Sequence, residues 1–193
     1  MELLNGESKG YDLYFKICLL GKSSIGKTIL SSRLTSKNYL EFKNKITSGY
    51  KPTVGFEFIV KDAKVDNKII KLQMWDFCGD EIYMSLIQNF YRNMSAFLIF
   101  YDCNERSSFE KAKIYFQEAQ NIKKEDSIYI LIRTKYELKN KENKDFVSDE
   151  EALEYANEKH AYFCHISAFE KYETGIYELF KLIIERLIEY YNN

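Results

Sequence analysis

Residues 21–28 read GKSSIGKT and fit the spacing G-x-x-x-x-G-K-[ST]. Glycines at the two ends of such a loop let backbone N–H groups wrap a phosphate without Cβ clashes. Lys27 is placed to span the outer phosphates, and the Thr28 hydroxyl is a ligand for one Mg2+ site. The candidate phosphate-binding residues are therefore Ser23, Ser24, Ile25, Gly26, Lys27 and Thr28. Two later stretches add to the same chemistry. In WDFCGDE (75–81), Asp76 closes an apolar β-like run and Gly79 follows three residues on. A carboxylate there can hold Mg2+ through water, while the Gly79 N–H senses a terminal phosphate. In YKPTVGFEF (50–58), Thr53 places a hydroxyl on the long loop that follows the first helix. Each stretch alone is a weak signal; in this order after a phosphate loop they are a strong one. The surrounding run MWDFCGDEIY has two readings, a place where a carboxylate takes part in a reaction or one where a catalytic residue has been replaced.

These residues need strands that stop at one edge and helices that start there. YDLYFKICLL (11–20) is a β-rich run leading into the phosphate loop, and TILSSRL (28–34) reads as a short helix leaving it. FEFIVKDAKV and KIIKLQMW alternate with period two about Asp66 and Asn67, the pattern of an antiparallel hairpin. AFLIFYD (96–102) and SIYILIR (127–133) are continuous apolar runs, as in strands covered on both faces. Ser107-x-x-Glu110 and Ser148-x-x-Glu151 read as capping boxes opening two helices, the first with Phe109, Ala112, Phe116 and Ala119 on one face. A last helix puts Ile176, Leu179, Phe180, Ile183, Ile184, Leu187 and Ile188 on a stripe suited to the domain's own sheet. The alternation predicts an α/β domain over residues 11–193, preceded by a flexible extension over 1–10. Its mostly parallel six-stranded sheet has one antiparallel edge strand and helices on both faces, a three-layer arrangement. Thr53 falls in a long loop between the first helix and the hairpin, and 139–145 in a solvated loop.

Bulk properties exclude other classes. The net charge is −1, from 28 basic and 29 acidic residues, which gives no basic footprint for nucleic acid. No run approaches the ~18 apolar residues of a membrane span. Cys18, Cys78, Cys103 and Cys164 are scattered without metal-site spacing, and the expectation is reduced, buried thiols in a cytoplasmic protein.

With these motifs in place the chain resembles a small GTPase of the Ras superfamily, and most closely its Rab branch. The resemblance rests on GKSSIGKT, PTVGFEF, WDFCGDE and FYRNMSAFLIFYDCNERSSFE (90–110), and covers roughly residues 11 to 191. TKYEL (134–138) and HISAF (165–169) stand where guanine-recognition motifs belong. The resemblance implies a P-loop NTPase of Ras-like fold that binds GTP or GDP with Mg2+, ligated by Thr28, Thr53 and Asp76. Thr53 and Gly79 would close two switch loops on the terminal phosphate. Thr134, Lys135, Glu137, Ser167, Ala168 and Phe169 would surround the base. It further implies a monomer that meets effectors, an exchange factor and a GTPase-activating protein through those loops. The implied setting is vesicle traffic, in the cytoplasm or peripherally on endomembranes.

The chain departs from the pattern at several points. Asp80 stands where the family has a glutamine that orients the attacking water. An ionised carboxylate only accepts hydrogen bonds, and is shorter by a methylene. At about 5 Å and an effective dielectric near 20, each unit of like charge there costs roughly 3 kcal/mol. The expected catalytic set is Lys27, Thr53 and Asp80, with intrinsic hydrolysis at or below the family's ~10⁻⁴ per second. Rab-type activating proteins supply both an arginine and a glutamine in trans, which leaves stimulated turnover open. Glu137 replaces the base-reading aspartate with a longer arm of the same chemistry, so guanine preference with weaker affinity is expected. Thr28 and Thr53 are unusually far apart; Ile46 stands where an aromatic normally covers the base, and Tyr39 or Phe42 are substitutes for it. The sequence ends EYYNN, without the cysteines that carry prenyl anchors in Rab-like proteins. Two rivals are a pseudo-GTPase locked in one nucleotide state, favoured by Asp80 and Glu137, and a P-loop nucleoside kinase. The kinase would need an arginine-rich acceptor site that is not evident in the sequence.

Overall fold

The strand Leu13–Leu20 (β2) alternates inward and outward only at its start, then runs buried through Leu20. That pattern belongs to the middle of a sheet covered on both faces. In the computed structural model, which describes residues 1–4, 8–36, 39–49, 53–80, 84–123, 127–167 and 174–192, β2 is the central strand. It pairs in parallel with β4 (Lys68–Phe77) on one side and β5 (Ala96–Asp102) on the other. β6 (Ile128–Thr134) and β7 (Tyr162–His165) continue the parallel half, and β3 (Phe56–Val65) returns antiparallel on β4. The hairpin closes at Val65↔Lys68, with Asp66 in the left-handed region at φ 53°, as the turn residues predict.

Among the described residues the sheet has seven strands, one more than the sequence reading gives. Glu2–Leu3 (β1), from the segment read as a flexible extension, pairs antiparallel with the outer edge of β3. The attachment is specific. Leu4 N–H donates to the Asp62 carbonyl at 2.8 Å, and Ser8 N–H donates to the Asp62 carboxylate at 2.6 Å. Lys71 Nζ reaches the same carboxylate at 3.0 Å, and Tyr177 Oη donates to the Met1 carbonyl. Two residues carry too little periodicity to be read as a strand; the exposed edge of β3 supplies the backbone groups that make them one.

Each face of the sheet has its own core. On one lie Ile17, Leu19, Met74, Leu98, Phe100 and Ile132, against Leu30 and Leu34 of α1 (Lys27–Thr35) and the expected stripe of α6 (Thr174–Asn192). On the other lie Cys18, Leu20, Phe97, Ile99 and Leu131. These meet α3 (Met84–Tyr91), Phe109, Ala112 and Phe116 of α4 (Arg106–Ile122), and Ala152 and Ala156 of α5 (Asp149–Glu158). Cys18, Cys78 and Cys103 are buried free thiols, and Cys164 is partly covered.

The α5 cap forms as predicted, Ser148 Oγ accepting from Glu151 N–H. The α4 box does not form. Its cap is Glu105, and it is Ser108 Oγ that donates to the Glu105 carbonyl at 2.7 Å and accepts from Asp102 N–H. Ser107 Oγ instead joins an ion pair between Lys22 and Glu105. The stretch ahead of Thr53, read as a long loop, contains a further helix, α2 (Tyr39–Thr47).

Candidate functional site

The phosphate loop, Asp76, Asp102, Thr134 and His165 all stand at the carboxyl ends of the parallel strands, where open α/β sheets bind ligands. The loop 21–26 passes through left-handed turns at Ser24 (φ 63°) and Gly26 (φ 109°) before α1 begins at Lys27. Lys27 is almost wholly buried, and its Nζ donates to the carbonyls of Gly21 at 2.8 Å and Lys22 at 3.1 Å, curling back over the loop. Burial pulls its pKa below the ordinary lysine value, opposed by the Asp76 carboxylate and the thiols of Cys78 and Cys18. Ser23 and Ser24 are exposed at the loop's crest, while Ile25 is buried.

The three expected metal ligands converge. Thr28 Oγ1 donates to Asp76 Oδ2 and lies 2.9 Å from Thr53 Oγ1. With the Thr28 proton committed to Asp76, Thr53 is the donor of that second bond. The other Asp76 oxygen, Oδ1, is buried and has no hydrogen-bond partner among the described residues. Burial foremost raises the Asp76 pKa, offset by the Thr28 bond and the charge of Lys27. A buried carboxylate oxygen without a partner, beside two hydroxyls, is a donor set that fits a hard divalent cation such as Mg2+.

Gly79 lies directly on the phosphate loop. A Cβ there would stand 2.1 Å from Ser23 N and 2.5 Å from the Gly21 carbonyl oxygen, so only glycine fits this approach. Asp80, next along, is exposed.

Beside the loop is a cavity of ≈ 450 Å³ lined by Ile25, Gly26, Ile29, Thr134, Lys135, Glu137, Leu138 and Ile166. Its size is that of a small-molecule site. Thr134 is buried, with Oγ1 donating to the Tyr101 carbonyl at 3.0 Å, so the hydroxyl at this place is satisfied within the fold. Lys135 takes a left-handed conformation (φ 55°), and its Nζ pairs with Asp102 at 2.9 Å. Glu137 follows in a single 3₁₀ turn, Tyr136–Leu138, and is exposed to the cavity. Ser167 is buried two residues past the end of β7; Ala168 and Phe169 lie outside the described residues. Gly26 connects the two halves, since a Cβ on it would stand 3.9 Å from Thr134 Cγ2.

Phe42, one of the residues proposed to cover the base, does not do so. It is fully buried between α2 and α1, where the Arg33 guanidinium sits 5.4 Å from its ring. Tyr39 packs on the same guanidinium at 5.4 Å. The described residues of the insertion, 39–47, fold as a helix that buries its central aromatic.

A surface beside the site was not read from the sequence. Phe56 and Phe58 at the start of β3 are exposed. With Trp75, Phe77 and Phe90 they form a contiguous cluster with ring centroids 5.2–6.1 Å apart. A groove of ≈ 470 Å³ between Gly55, Phe56 and Phe77 on one side and Leu86, Ile87 and Phe90 on the other opens beside it. The alternation in FEF places both phenylalanines on one face, but alternation alone does not say which face solvent meets.

A phosphate loop at the end of a central parallel strand, a hydroxyl–carboxylate metal set and an adjoining base cavity together define a P-loop nucleotide-binding domain of the small GTPase class. The sequence model of the Ras family matches residues 16–189. The Ras-related protein RABA1c of Arabidopsis thaliana is 33% identical over 160 residues, 83% of this chain and 69% of that protein. Rab11D of Lotus japonicus is 30% identical over 93% of this chain and 80% of its own length. The GTP-binding protein ypt3 of Schizosaccharomyces pombe is 31% identical over 93% and 82%. The chain belongs to the Ras family, as a Rab-like small GTPase that hydrolyses GTP to GDP.

Proposed function

We propose that this protein is a Rab-like guanine-nucleotide switch in vesicle or membrane traffic, with low intrinsic hydrolysis. The observation that carries the reading is the convergence of Lys27, Thr28, Thr53 and Asp76 within one site that also holds a base-sized cavity edged by Lys135 and Glu137. Thr28, Thr53 and Asp76 would hold Mg2+, which would supply positive charge to the phosphates of a bound nucleotide. Lys27 swings from the loop carbonyls to the outer phosphates, a small movement because its ammonium already lies over the loop. Thr53 and Gly79 then sense the terminal phosphate from opposite sides, and their release after hydrolysis is the switch.

Hydrolysis joins water to the γ-phosphorus and breaks its bond to the bridging oxygen, giving GDP and phosphate. Asp80 is exposed next to Gly79 and offers acceptors only, so it does not hold the water through both donor and acceptor as an amide does. Stimulated turnover then depends on groups supplied by an activating protein. Effectors read the switch segments and the aromatic face of Phe56, Phe58 and Trp75 that adjoins them. Among the described residues no helix is long and apolar enough to cross a membrane, and membrane association is assigned to partners.

The test is the nucleotide carried by freshly purified protein, extracted with acid and identified by chromatography. Bound GDP supports a turning-over switch, and bound GTP supports a switch whose state is set by partners. An empty site that takes up neither GDP nor GTP with added Mg2+ would overturn the reading in favour of a pseudo-GTPase.

A further inference from the structure

We propose that Arg133, Tyr136 and His165 form a brace that holds the two walls of the base cavity in register and thereby sets base discrimination. The inference rests on reading that cavity as the guanine site. Tyr101, Arg133 and His165 stand in one row across β5, β6 and β7, at the strand ends where the cavity begins. Arg133 is only 1% exposed, so its charge needs compensation inside the fold. Part comes from the Asp149 carboxylate at the first residue of α5. Its Nε is buried without a hydrogen-bond partner among the described residues, and aromatic rings lie close to the guanidinium. The left-handed turn at Lys135 folds the chain back so that the Tyr136 ring lies 4.4 Å from the Arg133 guanidinium carbon, with Phe163 at 5.8 Å. Tyr136 also meets His165, whose ring centroid is 4.4 Å away at an interplanar angle of 33°, and Lys139, whose Nζ lies 4.4 Å from its ring and donates to its hydroxyl at 3.0 Å.

This sandwich joins the two base-facing segments. Tyr136 directly precedes Glu137, which edges the cavity; His165 directly precedes Ile166, which lines its opposite wall. The Ile166 N–H also donates to the Arg133 carbonyl at 2.9 Å. At its far end the 3₁₀ turn is fixed by Asn104, which donates to the Leu138 carbonyl at 3.0 Å and accepts from Asn140 N–H at 2.8 Å. The carboxylate of Glu137 is therefore carried on a turn clamped on both sides. Its reach toward the ring N–H and amino group of a base depends on the stack beneath it. Arg133, Tyr136 and His165 act through Glu137 and are positioning residues.

The experiment compares GDP with IDP, which lacks the 2-amino group, by competition against a fluorescent GDP analogue on the full chain. Tyr136→Leu removes a ring that is partly exposed, and thermal unfolding of each variant checks the fold. Loss of a cation–π contact of this closeness is expected to shrink the GDP/IDP affinity ratio by up to about tenfold and to speed GDP release by a similar factor. Arg133→Met is expected to do the same, and Tyr136→Phe, which keeps the ring, to restore the wild-type ratio. A wild-type chain that discriminates while Tyr136→Leu keeps both the ratio and the release rate would overturn the brace alone. A wild-type chain that binds neither GDP nor IDP would overturn the guanine site itself, and the brace with it.

Discussion

Replacing Phe42 with alanine tests how the inserted residues ahead of Thr53 serve the site. Helix α2 has nine residues, and Phe42 is its one buried side chain. An isolated helix of that length is marginal in water, so α2 persists because this ring is anchored. The ring is fully buried, and Phe→Ala at such a site costs about 3–5 kcal/mol, from lost transfer energy and the cavity left behind. Arg33, itself buried, loses one of its two ring neighbours, which adds up to about 1 kcal/mol. A penalty near 4 kcal/mol exceeds what a single peripheral helix is expected to hold. The outcome is therefore local detachment of α2, with the sheet intact. Hydrogen exchange of peptides covering 39–47 should accelerate by about two to three decades, at 1.4 kcal/mol per decade, while β2 and β5 keep their protection. Thr53 lies six residues beyond Thr47, so release of a GTP analogue should quicken as well. Uniform loss of protection across the sheet would show that Phe42 belongs to the global core. Unchanged exchange in α2 would show that other contacts hold it. Either result refutes the local-anchor account.

Asp80→Gln restores an amide that can both donate and accept, and single-turnover hydrolysis without a partner is expected to rise several-fold; an unchanged rate would remove Asp80 as the cause of slow turnover. Asp76 has its pKa raised by burial, so in metal-free protein its charge opposes folding. That penalty is absent below the ordinary aspartate value and complete above the raised one, so this group makes Tm fall as pH climbs through that window. Saturating Mg2+ with GDP should cancel the fall, as read by scanning calorimetry, and Asp76→Asn should flatten the dependence and abolish the response to Mg2+. Asp62 has the opposite sign. Its burial is outweighed by bonds from Ser8 N–H and Lys71, so its pKa is lowered, and the stability it confers is present at neutral pH and lost as pH falls through the lowered value. Asp62→Asn should cost about 2–3 kcal/mol in urea titrations at pH 7, because it removes a charge-assisted bond to a mostly buried lysine.

The parts of the molecule legible in the sequence are those fixed by local motif or by long periodicity. GKSSIGKT, the hairpin about Asp66 and the α6 stripe each contain their own geometric instruction, and the fold puts them where that instruction says. Features set by contacts distant in the chain were not legible. Glu2–Leu3 becomes a strand because the edge of β3 and Asp62 receive it, some sixty residues away. Helix α2 did leave a trace, since Tyr39, Phe42 and Ile46 recur at helical spacing; the trace was obscured by treating those aromatics as candidates to cover a base. The α4 cap lies at Glu105, two residues before the serine that reads as its capping box, because Ser107 is drawn into the Lys22–Glu105 pair while Ser108 bonds the turn ahead of the helix. Arg133 lies in a run that reads simply as a buried strand. What makes a cation tolerable there, Asp149 and the Tyr136 ring, comes from two other elements.

The cluster around Trp75 gives the protein its own optical reporter. Trp75 is the single tryptophan among sixteen tyrosines, so excitation at the red edge of the absorption band selects it. Its ring lies 5.2 Å from Phe56 and from Phe90, and its indole N–H is buried without a hydrogen-bond partner among the described residues. Emission from an indole packed among phenylalanine rings falls toward the blue end of the tryptophan range. Phe56 follows Gly55 and Asp76 follows Trp75, so the fluorophore sits between the segment that bears Thr53 and the carboxylate of the metal set. Nucleotide exchange and partner docking can therefore be followed in real time through intensity and wavelength, on the unlabelled wild-type chain.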